Sequence, residues 1–230
     1  MSKEISHKNH IVQNWSKQSF DQKKKRARAL LLCLRKRYPR MKTVLVWRTP
    51  MQMLASVMFS AQTTDKKVNE VTQKQGLFKK YSSVDDFADA DLRTLQKEIR
   101  PLGFFRQKSK HIIASARMIR DEFGGKLPKT LDEMTRLPGV ARKTANIVLN
   151  HVYGIAEGIP VDTHVRQVAN RFGFTKEQDP VKIEKDLMAL FPEKDWIWVS
   201  YTMVEYNRAV HSPPKPKCEW CYVTELCFNK

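Results

Sequence analysis

Between Leu137 and Leu149 the chain reads LPGVARKTANIVL, and no other stretch restricts the local fold as much. The helical pattern of TLDEMTRL ends at Leu137. Pro138 lacks the N–H that would continue a helix, Gly139 tolerates the left-handed backbone a turn needs, and a second helical pattern starts near Ala141. The N–H groups of the turn and of the second helix's first residues have no acceptor within the helix, and they point outward with the positive end of its dipole. That arrangement accommodates phosphate. A helix–hairpin–helix of this kind grips a nucleic-acid backbone without reading its bases. A plain helical corner has the same residues, and spacing alone leaves both readings open.

The rest of the chain extends the helical reading. In TPMQMLASVMFS, Thr49 is placed to cap and Pro50 to open a helix that is apolar on every side, as a buried one is. Thr64 or Asp65 caps the next. DADLRTLQKEIR forms a short amphipathic helix, with acids at its start and basic residues towards its end. FRQKSKHIIASARMIRDEF follows and stops at Gly124 and Gly125. Asp162 caps THVRQVANRFG, Asp179 caps DPVKIEKDLMALFP with Pro180 at its first position, and WIWVSYTMVEYNRAVH is the last long helix. No alternating strand pattern or internal repeat interrupts the series, so the fold class is all-α. The first ~20 residues read as a polar lead-in to a basic amphipathic helix. Cys33, inside LLLCL, reads as a buried thiol without chemistry.

The 42 Lys and Arg residues stand against 24 Asp and Glu, a net charge of +18 over 230 residues. That excess exceeds what solubility requires and points to a polyanionic partner, nucleic acid foremost. Charge does not separate DNA from RNA. No apolar run approaches the ~20 residues that cross a bilayer, and the N-terminus has no secretory apolar core. An intracellular, reducing location is therefore expected, cytoplasmic or nucleoid in a bacterium and nuclear in a eukaryote. There, clustered cysteines are metal ligands more often than disulfides. Cys218, Cys221 and Cys227 cluster as Cys-x2-Cys-x5-Cys, and His211 precedes them.

Lys143 falls in the first turn of the second hairpin helix. The dipole disfavours a cation there, which favours the free amine that a nucleophile needs. A surface lysine that binds phosphate fits the same position. Further on, GIPVDTHVRQ places Asp162 directly before a helix. This is a plain N-cap position, and a capping carboxylate can still face a cleft as acid, base or electrostatic partner.

Four segments occur together and in order: SAQTTDKKVN, LPGVARKTANIVLN, VDTHVRQVANR and the cysteine tail. Through them the chain, from residue 25 to its end, resembles endonuclease III, the helix–hairpin–helix DNA glycosylases with an attached iron–sulfur module. The resemblance implies a two-lobed all-helical fold. A six-helix barrel would span residues 46–154, and residues 25–45 and 155–230 would form the second lobe with a cluster loop at 211–227. Residues 1–24 would be a polar extension, and DNA would bind across the cleft between the lobes.

The same resemblance assigns roles. Lys143 matches the catalytic lysine that attacks C1′ of the damaged nucleotide, and Asp162 matches the catalytic aspartate. A lysine here implies a bifunctional DNA glycosylase and AP lyase of base excision repair, acting as a monomer on oxidised or otherwise damaged pyrimidines and abasic sites in double-stranded DNA. Gln62 matches the glutamine inserted into the gap left by base flipping. Phe104, or Phe105 if the alignment slips by one, falls where the family carries an apolar wedge; a core residue at a helix start fits Phe104 equally. Leu137, Gly139, Val140, Ala141 and Arg142 form the DNA-gripping hairpin. Ala141 replaces the usual glycine. A positive φ there would strain it by ~1–2 kcal/mol, whereas as the first helical residue it is harmless, and the second case is expected. A mismatch or uracil-type glycosylase and a non-catalytic DNA-binding protein are the alternatives.

The family's cluster pattern is Cys-x6-Cys-x2-Cys-x5-Cys, and here His211 occupies the first position. The first expectation is a [4Fe-4S] cluster with His211 as fourth ligand, since histidine replaces cysteine in some clusters and raises their potential. A labile cluster on the three cysteines, zinc on a Cys3His set, and an empty site are the other readings. A bound metal would pin SPPKPKCEW, whose Lys215 and Lys217 can meet DNA phosphates.

Overall fold

The computed structural model describes residues 18–40 and 43–211 together with Val223 and Leu226. Regular structure among the described residues is entirely helical, as expected. The α-helices are α1 (Phe20–Arg37), α2 (Pro50–Ser60), α3 (Asp65–Asn69), α4 (Leu77–Lys80), α5 (Val84–Ala88), α6 (Leu92–Glu98), α7 (Phe105–Glu122), α8 (Leu131–Arg136), α9 (Arg142–Tyr153), α10 (Thr163–Arg171), α11 (Pro180–Leu190) and α12 (Trp196–Tyr206). The chain divides into two compact units, one formed by Arg40–Pro160 and the other by the chain up to Pro39 together with Val161 onward.

In the 40–160 unit α2 is the central element. The Thr49 hydroxyl accepts the Gln52 N–H at 3.2 Å and donates to the Ser82 carbonyl at 2.7 Å, so one cap fixes both the helix start and a neighbouring loop. Every residue from Met51 to Phe59 is buried, which explains the absence of a polar face. Buried Gln52 is satisfied: its amide donates to the Phe78 carbonyl at 3.0 Å, and its oxygen accepts the Arg48 N–H at 2.9 Å. Helices α7 and α9 pack on α2, and α5 packs on α7. The stripe that α7 buries runs through Lys108, Ile112, Ser115, Ala116 and Ile119, spaced three and four apart.

In the other unit, α1 packs on α11 and α12, and α10 packs on the same two helices. Helix α1 begins at Phe20, inside the segment read as a polar extension, because Ser19 and Gln22 form a reciprocal capping box. It buries Ala27, Leu30, Leu31 and Leu34. Cys33 is exposed, which corrects the expectation of a buried thiol: helical spacing puts it off the 27–30–34 stripe, whatever the apolar run around it suggests. Phe172 stacks with Phe174 at 5.9 Å and tilts against Tyr206 at 5.8 Å, and Phe174 meets Phe191 edge-on at 6.1 Å.

Candidate nucleic-acid interface and active site

The hairpin forms where the sequence placed it. Helix α8 ends at Arg136, the Val140 N–H closes a turn onto the Leu137 carbonyl at 3.0 Å, and α9 starts at Arg142. Leu137 and Val140 are buried in the core, so only their backbones can face a partner. The Val140 N–H is consumed inside the turn, which removes one of the outward donors expected there. Ala141 is the N-cap rather than the first helical residue, at φ −82° and ψ 163°. That backbone is extended, so alanine carries no strain, and its methyl group cannot cap the N–H groups of the first turn.

Helix α7 props this turn from behind. The Ser115 hydroxyl donates to the Pro138 carbonyl at 2.8 Å. Gly139 sits at φ +78°, and a Cβ there would come within 2.5 Å of His111 Nδ1 and 2.8 Å of its Cβ. Both the backbone and the imidazole beneath it therefore demand glycine. Gly139→Ala should cost about 2 kcal/mol or more, seen as a fall of roughly 4–8 °C in Tm, with weakened duplex binding in the same variant. An unchanged Tm would show that the imidazole yields freely.

Lys143 is exposed in the first turn of α9. Asp162 is the N-cap of α10, its Oδ1 accepting the Val165 N–H at 2.9 Å, so the capping reading holds whatever else the carboxylate does. The two residues belong to different units.

Gln62 and Phe104 are the non-glycine residues with positive φ among those described, at +54° and +45°. Each such backbone costs about 1–2 kcal/mol in an L-residue, and strain of this kind persists where the surroundings over-determine it. Both side chains are exposed, Phe104 by 62%. Phe105, one residue on, packs against the core instead. A core role for Phe104 is thereby removed. Thr63 donates through Oγ1 to the Leu102 carbonyl, which ties the two loops together. Exposed Arg100, Arg106 and Lys110 flank the second loop along the chain.

Cys218, Cys221, Cys227, Lys215, Lys217 and the side chain of His211 lie outside the described residues. Among the described residues no three metal-ligating side chains gather. Two residues between Cys221 and Cys227 are seated, however. Val223 is buried, and the Leu226 N–H bonds to the Val223 carbonyl at 3.0 Å. Arg26 of α1 then donates through one nitrogen to the carbonyls of Leu226, at 3.0 Å, and Phe172, at 2.6 Å. Its guanidinium also lies 5.0 Å over the Phe174 ring.

Sequence reasoning missed Arg26, Lys108, His111 and Ser115. Lys108 carried a signal: it stands four residues before Ile112 on the apolar stripe of α7, where a solvated lysine does not belong. No helix among the described residues is long and apolar enough to cross a membrane.

The chain is similar to known proteins. Endonuclease III of Synechocystis sp. is 44% identical over 205 residues, covering 89% of this chain and 93% of that protein. A non-covalent endonuclease III–DNA complex superposes with a TM-score of 0.82 at 36% identity, covering 89% of this chain and 94% of that one. A trapped covalent endonuclease III–DNA intermediate gives the same score and identity. The family model described as HhH-GPD superfamily base excision DNA repair protein matches residues 55–193, and this chain belongs to that family.

Proposed function

We infer that the protein is a DNA glycosylase with AP lyase activity, removing oxidised pyrimidines from duplex DNA. The observation that carries this reading is Lys143, exposed in the first turn of a helix whose N-cap, Ala141, offers no side-chain acceptor, above a glycine turn buttressed by His111. The hairpin backbone holds one strand through phosphates. The Lys143 amine attacks C1′ of the flipped nucleotide, and the damaged base leaves with the C1′–N bond electrons and a proton. The sugar ring opens to a Schiff base between C1′ and Lys143. Loss of a C2′ proton then expels the 3′ phosphate by β-elimination. Asp162 stabilises the positive charge that develops at the sugar. Gln62 and Phe104 occupy the space vacated by the base. The test is a duplex with one oxidised pyrimidine: free base and a nick in the same strand are expected together. Base release without a nick would overturn the lyase half of the reading, and neither product would overturn both.

The donor set at the tail, three thiolates and one imidazole at family spacing, suits a [4Fe-4S] cluster held by His211, Cys218, Cys221 and Cys227. The burial of Val223 and the bond from Arg26 to the Leu226 carbonyl, both between two of those cysteines in the chain, support this reading. The role read for the cluster is structural: it would hold Lys215 and Lys217 for phosphate contact. Protein purified without air should contain iron and acid-labile sulfide in equal amounts, and His211→Ala should lose both or lose them on exposure to air. Zinc alone would replace the cluster with a structural zinc site.

A further inference from the structure

Gln62 and Phe104, strained and exposed on separate loops, need neighbours that keep their shape. Lys108 lies in the first turn of α7 and is only 6% exposed. Its ammonium donates to the Phe59 carbonyl at 2.8 Å, to Thr63 Oγ1 at 2.8 Å and to the Leu102 carbonyl at 2.9 Å. Those are three donors and three acceptors, which fills the capacity of the group. Each acceptor has a place in the problem. Phe59 is in the last turn of α2, whose carbonyls lack helical partners. Thr63 directly follows Gln62. Leu102 closes the short 3-10 turn before Gly103 and Phe104, both at positive φ.

We propose that Lys108 is a positioning residue that holds Gln62 and Phe104 in the shape needed to open the duplex, an inference that rests on the glycosylase reading. The chemistry argues for the role over plain packing. The three acceptors are neutral, so no carboxylate offsets the buried charge. Burial draws the Lys108 ammonium down to about 8. A methionine of similar length would fill the space without that cost, but it could not converge three bonds on two loops and a helix end. Thr63 completes the clasp by donating onward to Leu102. Removing the ammonium leaves the left-handed backbones at Gln62 and Phe104 free to relax.

The full-length protein and Lys108→Met would be compared on an abasic site in single-stranded DNA and on the same site in a duplex, where strand opening is required. The expected result is a drop of about tenfold in the duplex-to-single-strand rate ratio. The fluorescence of 2-aminopurine placed opposite the site should fall with it, reporting lost unstacking. A general structural defect would depress both rates alike and leave the ratio unchanged, which overturns the proposal. If Lys108→Met fails to fold, Thr63→Val removes one arm of the clasp, and the ratio should fall in the same direction; an unchanged ratio there also overturns it. If the wild-type protein cleaves neither substrate, the glycosylase reading fails first.

Discussion

If Lys143 is the nucleophile proposed above, Lys143→Gln should reduce base release and strand cleavage by roughly 10³-fold or more, because no accessory group replaces the attacking amine. Folding should be untouched: the side chain is exposed, and no hydrogen bond or ion pair engages it among the described residues. Duplex binding should weaken only slightly. One cation is lost from a protein of net charge +18, which lowers the salt dependence by about one phosphate equivalent. Single-turnover kinetics beside equilibrium binding therefore separates the two roles weighed for this lysine. Excision lost with binding retained is the nucleophile's signature. Binding lost with excision scaled down in proportion is that of a phosphate contact.

Asp162→Asn should be the most informative change in the other unit. Asparagine caps a helix about as well as aspartate, so its amide oxygen can accept the Val165 N–H in place of Oδ1. Stability should hold to within about 0.5 kcal/mol, while the charge disappears and excision falls by about 10²-fold or more. Asp162→Ala loses charge and cap together and should cost a further ~1 kcal/mol of stability. Activity would then follow the charge and Tm would follow the cap. Full activity in Asp162→Asn would make the residue a cap and nothing else.

Local chemistry made much of the fold legible. Thr49, Asp162 and Asp179 all cap helices where the sequence placed them, since a cap depends on a side chain and the N–H groups two or three residues away. Pro138 and Gly139 likewise mark the hairpin from their own backbone preferences. Features set by phase or by distant neighbours were not legible. Cys33 was misjudged because an apolar run does not reveal which residues lie on the stripe that packs. Whether Phe104 or Phe105 is exposed depends on a left-handed backbone at Phe104, which no propensity favours in phenylalanine. His111 beneath Gly139 and Ser115 beneath Pro138 belong to a helix distant in sequence from the turn they support. Lys108 hid among the many lysines of a basic chain, and only its helical phase set it apart. Arg26 holds a carbonyl 200 residues away, a pairing with no local trace.

The measurement that bears most directly on the account is borohydride reduction of the wild-type protein mixed with a duplex carrying an abasic site, followed by peptide mapping of the trapped adduct. A covalent protein–DNA species should form, with the sugar remnant on the peptide containing Lys143. An adduct mapped to another lysine, or no adduct at all, would contradict the assignment of Lys143 as the Schiff-base nucleophile.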